Sequence, residues 1–484
     1  MAVLGLDLGT SGVKALVLAD GGHGAAVASA PCSVERPRPG WAEADPANWM
    51  LAARAAVHEA LGRAGREPLR AVGLAGQMHG VVVCDASGRP VRPALLWPDR
   101  RAVDVLDVWR GLPVERRAAL ANPLVPGMAG PLLAWLARHE PAALDAAAWA
   151  LQAKDWIRLM LAGEVATEPT DASATLLWDV PADGWATDVA QAAGIDARLL
   201  APLTVSDAPT GALTAAGAEA LAVAGPLPVY GGAADTAAAL VGAGVTRPGQ
   251  RLLNVGTGAQ LVTIVERPAA VKRPTTHRYR AARGGWYAMA AVQNAGLAIG
   301  WAREVVAASW EEAEREAFGD GAIGDGESDP LFVPHLTGER TPFLDPNARG
   351  AWIGLSLEHR RGDLLRAAHA GVAHAVRLAR DALRAEGGAG AGVLRLLGGG
   401  SLRPGYRQLF ADTLDEPLEL LADADATALG AALLAGGHAP EPSREGVVEP
   451  DPEGVARAAE RHERWLAAVE ALRTTAPERA RAHA

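Results

Sequence analysis

Eight residues near the start of the chain, Asp7-Leu8-Gly9-Thr10-Ser11-Gly12-Val13-Lys14, lie between two apolar runs. They bring a carboxylate, a tight turn, two hydroxyls and an amine together. A fainter copy, Leu253-Asn254-Val255-Gly256-Thr257-Gly258, occurs in the second half, and Asp7, Gly9 and Thr10 align with Asn254, Gly256 and Thr257 at one constant offset. The repeat predicts a duplicated α/β fold with a cleft between its halves. Gly9 and Gly12 allow close backbone approach and positive φ, so the N–H groups of the turn can face phosphate oxygens. Thr10 and Ser11 add hydroxyl donors, Lys14 adds charge, and Asp7 suits Mg²⁺ held through its waters. The plain alternative is a structural hairpin whose Asp caps the turn. The second copy weighs against it, because two structural turns need not share Gly-Thr after a polar residue.

At 484 residues the chain is too long for one core, and two large domains are expected. A hydrophobic content of 49% with 21% charged residues is that of an ordinary globular protein. The net charge is −10 with no basic block, so nucleic acid and anionic membranes are not expected partners. The two cysteines, Cys32 and Cys84, have no metal-ligand spacing and fit a reducing, cytoplasmic compartment. Asp7 interrupts the first apolar run, which therefore does not read as a secretory signal. The stretch 118–137 is uncharged, but Pro123, Pro126 and Pro131 argue against a membrane-spanning helix. It is expected to be buried and irregular.

Apolar periodicity predicts strands at 2–8, 13–19, 71–76 and 227–231, and helices at 47–63, 132–140 and 144–162. In the second half it predicts strands at 251–256, 259–265 and 393–397, and helices at 363–385, 404–415 and around 428–433. Glycines 242, 244 and 249 with Pro248 mark a domain boundary near 240–250, giving domains at 1–245 and 246–440. Residues 441–484 are expected to form a C-terminal helix and a frayed tail.

Asp235 follows a strand and the small-residue loop Gly231-Gly232-Ala233-Ala234, at the expected start of a helix. A helix N-terminus stabilises a carboxylate, leaving it ionised and able to accept a proton; a simple capping role is the alternative. Gln77, Met78 and His79 lie at a strand end beside glycine, where α/β folds expose working residues. A lone His is as readily a structural hydrogen-bonding residue. Gly398-Gly399-Gly400 after a strand offers a flat backbone platform for a nucleotide. Trp97, Asp99, Arg101 and the pair Glu339–Arg340 decide nothing unaided.

In combination these segments are more specific. Asp7 to Lys14, Gly76-Gln-Met-His-Gly80, Leu96-Trp-Pro-Asp-Arg-Arg101, Gly231 to Thr236, Asn254-Val-Gly-Thr257, Thr337-Gly-Glu-Arg-Thr-Pro342 and Gly398 to Ser401 occur in the order found in FGGY carbohydrate kinases. The chain resembles that family over about residues 2–437, most closely its xylulokinase branch. The resemblance implies two RNase H-like domains of the actin/hexokinase-like ATPase type flanking a deep cleft. Sugar would bind mainly to the first domain and ATP to the second. Carried over by position, Asp235 is the general base, and Met78, His79 and Thr236 are substrate positions. Asp7 serves Mg²⁺, Gly9, Thr10, Ser11 and Lys14 serve the transferred phosphoryl group, Gly256, Thr257 and Gly258 hold ATP phosphates, and Gly399 and Gly400 border the adenosine.

The implied reaction is ATP-dependent phosphorylation of the 5-hydroxyl of D-xylulose by a cytoplasmic enzyme, with a homodimer as the family's usual assembly. Two departures bear on the acceptor. Thr236 replaces an Asn that contacts sugar in xylulokinases, and Leu132 replaces a usual lysine. A kinase for ribulose or an alditol therefore stays open, as does an actin-like nucleotide-binding sugar sensor without transferase activity.

Overall fold

The first half is built on a sheet ordered Pro209–Ala212, Pro228–Tyr230, Leu69–Gly76, Ala2–Leu8, Gly12–Ala19, Ala26–Pro31. Its seventh strand, Ala233–Ala234, also pairs with Leu69–Gly76. The second sheet is ordered His277–Arg280, Trp286–Val292, Ala259–Val265, Arg251–Val255, Leu394–Leu397, Leu418–Leu421, Arg444–Val448. In this computed structural model the residues described are 1–22, 26–319, 329–398, 403–422, 425–438, 442 and 444–475.

The sheets share one plan. An antiparallel hairpin adds a third antiparallel strand on one side and two parallel strands on the other. A helix supplies the crossover in each: Pro46–Arg63 in the first half, Arg361–Ala385 in the second.

Ala2–Leu8 is apolar at every position but Asp7 because helices cover both of its faces. Leu4, Leu6 and Leu8 share a buried cluster with Trp49, Ala53 and Val57 of the Pro46–Arg63 helix. Val3, on the other face, clusters with Ala428, Leu429 and Ala432 of the helix Ala426–Leu434. Full burial of each such Leu or Val stabilises the fold by roughly 1.5–3 kcal/mol. The two-residue period puts Asp7 on the face of Val3 and Gly5. A Cβ on Gly5 would lie 2.1 Å from the carbonyl oxygen of Ala428. Asp7 is one step further along the strand, toward the start of that helix.

The helices covering the hairpins are exchanged between the halves. Ala426–Leu434, which follows the parallel strands of the second sheet, lies on the first sheet. Asp235–Gly242, which follows the first sheet, shares a buried cluster with Leu252, Val262 and Ile264 of the second. The two helices cross in backbone contact: a Cβ on Gly430 would lie 1.8 Å from Ala238 O, and one on Gly242 would lie 2.0 Å from Ala426 O.

Three expectations are corrected. The segment 144–162 is a helix Pro141–Ala146, a strand Trp149–Leu151 and a helix Ala153–Ala162. The strand forms because Trp149, Ala150 and Leu151 pair with Cys84, Val83 and Val82, a long-range contact that helical periodicity hides. Within 118–137, Ala129–His139 is a regular helix, with Pro131 in its first turn, where a missing N–H costs nothing. Neither Gly9 nor Gly12 adopts positive φ. Gly12 is needed for space, since its Cβ would lie 2.7 Å from Ala30 O.

The C-terminal helix spans Pro452–Thr475, and the end of the chain lies outside the described residues. No described helix is long and apolar enough to cross a membrane.

Candidate active site

Strand register brings the working residues to one edge of the first sheet. Asp7 pairs with Ala75, which pairs with Ala233; Leu8 pairs with Gly76, which pairs with Ala234. Asp235 follows directly as the first residue of its helix. Asp7 and Asp235 are therefore close enough for the charge of one to raise the pKa of the other. Burial, then Asp235 and Asp425, push Asp7 up to about 7 against the opposing charge of Lys14. Burial raises Asp235 to about 6, against two hydrogen bonds from Thr236 that favour the carboxylate.

Asp235 Oδ1 accepts from the backbone N–H of Thr236 at 2.6 Å and from its hydroxyl at 3.2 Å. Its Oδ2 has no hydrogen-bond partner among the described residues. Thr236 thus orients the carboxylate rather than offering its side chain elsewhere. Beneath it, Ala234 N–H donates to Thr170 Oγ1 at 2.8 Å, and that hydroxyl donates to Glu168 Oε1 at 2.6 Å. Glu168 belongs to a buried charged cluster in which Lys154 Nζ lies 2.6 Å from Asp155, 3.0 Å from Asp171 and 3.2 Å from Glu168. Burial works against the Lys154 charge, but the three carboxylates outweigh it and leave its pKa raised. The sequence does not reveal this platform, because Lys154 lies inside 144–162, expected as one helix, and two of its partners lie beyond it.

Lys14 is directly opposite Asp7 across the hairpin. Its Nζ lies 2.5 Å from Asp425 Oδ1. Asp425 precedes the Ala426–Leu434 helix of the second half, so this pair ties the first hairpin to that half. Asp425 also escaped the sequence reading, and its one signal is an acidic residue ahead of an Ala-rich helix.

Gly9 N–H donates to Gly12 O at 2.9 Å, and Gly256 N–H to Gly258 O at 2.9 Å. The amides of Thr10, Ser11, Thr257 and Gly258 donate no hydrogen bond among the described residues. Each turn therefore has two unspent N–H groups, the feature an anion cradle needs. Thr10 Oγ1 accepts from the Trp97 indole at 2.8 Å and donates to Gln77 Oε1 at 3.2 Å. The second turn is held by the helix Gly296–Val305: Gly296 N–H donates to Gly256 O, and Leu297 N–H to Thr257 O, both at 3.0 Å. Gly399 and Gly400 lie outside the described residues.

His79 is buried with φ of 78°, a left-handed conformation unusual for His. Its Nδ1 lies 2.9 Å from Ala174 O. A carbonyl can only accept, so Nδ1 carries the proton and Nε2 is left as an acceptor. Burial, aided by the charge of Arg340, pushes its pKa down to about 4, which keeps the ring neutral. Met78 is 6% exposed and packs in the core beside Ala75 and Val81. Leu132 is fully buried in the same cluster. Asp99 and Arg101 pair with each other at 2.8 Å, and Asp99 also accepts from Ala42 N–H, so they brace the segment that carries Trp97.

Residues 2–242 match the N-terminal domain of the FGGY family of carbohydrate kinases, and residues 252–439 match its C-terminal domain. The chain belongs to this family. It is thus a sugar kinase, a phosphotransferase acting on an alcohol group. It is 33% identical over 435 residues to a xylulose kinase of Escherichia coli strain K12, covering 89% of each chain. Among solved structures, one described as a xyloylose kinase from Brucella ovis has 32% identity and a TM-score of 0.89, covering 98% of this chain and 100% of that one. A gluconate kinase from Lactobacillus acidophilus, 21% identical, also reaches a TM-score of 0.89 over 98% of each chain. At that distance the likeness concerns the fold alone.

Proposed function

We propose that the protein transfers the γ-phosphoryl group of ATP to the 5-hydroxyl of D-xylulose, giving D-xylulose 5-phosphate and ADP. The observation that carries the reaction is Asp235. One of its oxygens is fixed by Thr236, the other is unengaged, and no cation pairs with it among the described residues. The acceptor is supported by xylulose kinases among the relatives that align along most of the chain.

The hydroxyl oxygen forms a bond to Pγ as the bond from Pγ to the β,γ-bridging oxygen breaks. Asp235 takes the hydroxyl proton, and ADP leaves with the bonding pair. With a pKa near 6, Asp235 is ionised at neutral pH and remains a better base than an ordinary carboxylate. The neutral His79 accepts a sugar hydroxyl at Nε2. The free amides of Thr10 and Ser11, and of Thr257 and Gly258, receive phosphate oxygens, with Gly399 and Gly400 bordering the adenosine.

Asp7 fits a Mg²⁺ role: it is a half-buried carboxylate with no hydrogen-bond partner among the described residues, opposite Lys14 across the hairpin. Bound there, the ion would neutralise charge on the phosphates. Alignment and fixed dipoles supply the rest of the rate enhancement.

ADP release measured with D-xylulose, D-ribulose, L-ribulose and a set of alditols tests the acceptor; a strong preference for any but D-xylulose refutes it. Thr236 keeps the other ketoses as the second reading, because a threonine offers no side-chain amide to sugar and its hydroxyl is directed at Asp235. Asp235→Asn is expected to lower kcat by about 10²–10⁴ with the fold intact. Near-normal turnover would remove Asp235 as the base.

A further inference from the structure

The residues ahead of Asp235 are pinned one after another. Gly231 O accepts from the Arg158 guanidinium at 2.7 Å, and Gly232 N–H donates to Ser206 O at 2.8 Å. Ala233 pairs with Ala75 in the sheet. Ala234 N–H, the last amide before Asp235, donates to the hydroxyl of Thr170 at 2.8 Å. The approach to Asp235 therefore ends on a side chain.

A hydroxyl carries one proton, so what it donates to decides what it can accept. Thr170 Oγ1 gives its proton to Glu168 Oε1 at 2.6 Å and so offers only lone pairs to Ala234. Glu168 is itself held on both oxygens. Its Oε2 accepts from Thr170 N–H and from Ser206 Oγ, both at 2.8 Å, and Lys154 Nζ lies 3.2 Å from its Oε1. Thr170 and Glu168 are fully buried. The direction of the Thr170 hydroxyl is thus set before any ligand arrives.

A buried threonine bonded inside the protein is commonly no more than part of the core. Thr167 fits that description: it is buried, and its hydroxyl donates to Gln152 Oε1 at 3.2 Å, away from the loop. Thr170 differs in what it holds. The strand Ala233–Ala234 is two residues long, and Asp235 follows as the first residue of its helix. No slack separates the bonded amide from the carboxylate. The same segment carries Ala174, whose carbonyl holds His79 Nδ1 at 2.9 Å. Asp235 and His79 are thereby referred to one piece of backbone.

We propose that Thr170 is a positioning residue for phosphoryl transfer, acting through the Ala234 amide to hold the unengaged oxygen of Asp235 against the acceptor hydroxyl. This rests on Asp235 as the base. Deleting the Thr170 hydroxyl leaves Ala234 N–H buried without an acceptor. The amide then turns toward another acceptor, and Asp235 moves with it. Misplacing a reacting group by about 1 Å lowers a rate by about 10²-fold. Thr170 itself touches neither sugar nor ATP in this reading, so the loss falls on kcat rather than KM.

The test is kcat and KM with the most active sugar of the acceptor panel, in Thr170→Val, Thr170→Ser and Thr167→Val, with folding checked by thermal melting. Thr170→Val is expected to lower kcat by about 10- to 100-fold, with KM for both substrates within about twofold of wild type. Thr170→Ser keeps the hydroxyl and should stay within about threefold of wild type. Thr167→Val should lower Tm and spare kcat. If Thr170→Val does not fold, Thr170→Ala deletes the same hydroxyl; failure of both makes Thr170 a stability residue and overturns the proposal. A second arm adds Thr170→Val to Asp235→Asn, where it should lower the residual rate less than about threefold. A normal kcat without the Thr170 hydroxyl, an equal loss in Thr167→Val, or full additivity in the double variant also overturns it. Near-normal turnover by Asp235→Asn alone instead removes the base, and this proposal falls with it.

Discussion

The two hairpins share a strand pairing, the second turn being one residue shorter, and differ in charge. In the first, Asp7 is opposite Lys14; in the second, the same places hold Asn254 and Gln260, joined by an amide hydrogen bond of 3.3 Å. The helices that follow show the reverse division of labour. Asp235 and Asp425 both stand at the start of the exchanged helices, but Asp425 is occupied by Lys14, whereas Asp235 pairs with no cation among the described residues. Duplication produced two anion cradles and two helix-start carboxylates. In the reading proposed above, chemistry is confined to one corner because Lys14 neutralises Asp425, whereas the hairpin under the Asp235 helix carries Asn254 and Gln260. The position of the counter-charges, more than the fold, distinguishes the two helix-start carboxylates.

Making the first hairpin resemble the second is the strongest way to break this contrast. Asp7→Asn is expected to lower kcat by about 10²–10³ and to raise the Mg²⁺ concentration for half-maximal rate, as a magnesium titration of ADP release would show. Lys14→Met removes the partner of Asp425 and a charge beside the phosphates; KM for ATP should rise about tenfold, a loss of about 1.4 kcal/mol. An unchanged KM would leave Lys14 a structural tie only. The converse change, Asn254→Asp, places a negative charge under the second cradle and should raise KM for ATP a few-fold, less at high salt.

The smallest effect concerns pH. Asp235 acts as a base only when ionised, so kcat should fall as pH drops through about 6 and level off above it. Thr236→Ala deletes a contact that favours the ionised form, so the acidic limb should move to higher pH by less than a unit. A limb moving to lower pH would show that Thr236 does not hold the carboxylate.

Much of this was legible in the sequence. Continuous apolar runs marked the central strands because helices bury both of their faces, and glycine with polar residues at strand ends marked the turns. Less legible was anything decided by partners far along the chain. Nothing local marks Lys154 as buried; Glu168 and Asp171, which pair with it, lie further along the chain. Arg340 was visible in its motif, but the Trp97 face it lies over belongs to the other half. Asp425 reads as part of an ordinary acidic loop, and only the pairing at Lys14 distinguishes it. The glycines of the first turn were read correctly as necessary and wrongly as left-handed, since local sequence does not show that Ala30 O occupies the space beside Gly12.

The exchanged helices carry a consequence for how this protein can be taken apart. Each half has its own sheet and its own crossover helix, which suggests modules that a cut near residue 245 would release. Such a cut would strip Ala426–Leu434 from the first sheet and uncover Val3, Leu16, Leu18 and Ala71. It would also leave the helix Asp235–Gly242 without the backbone partner it crosses at Gly430. Two halves expressed apart should be sticky and unstable, and should regain solubility when expressed together.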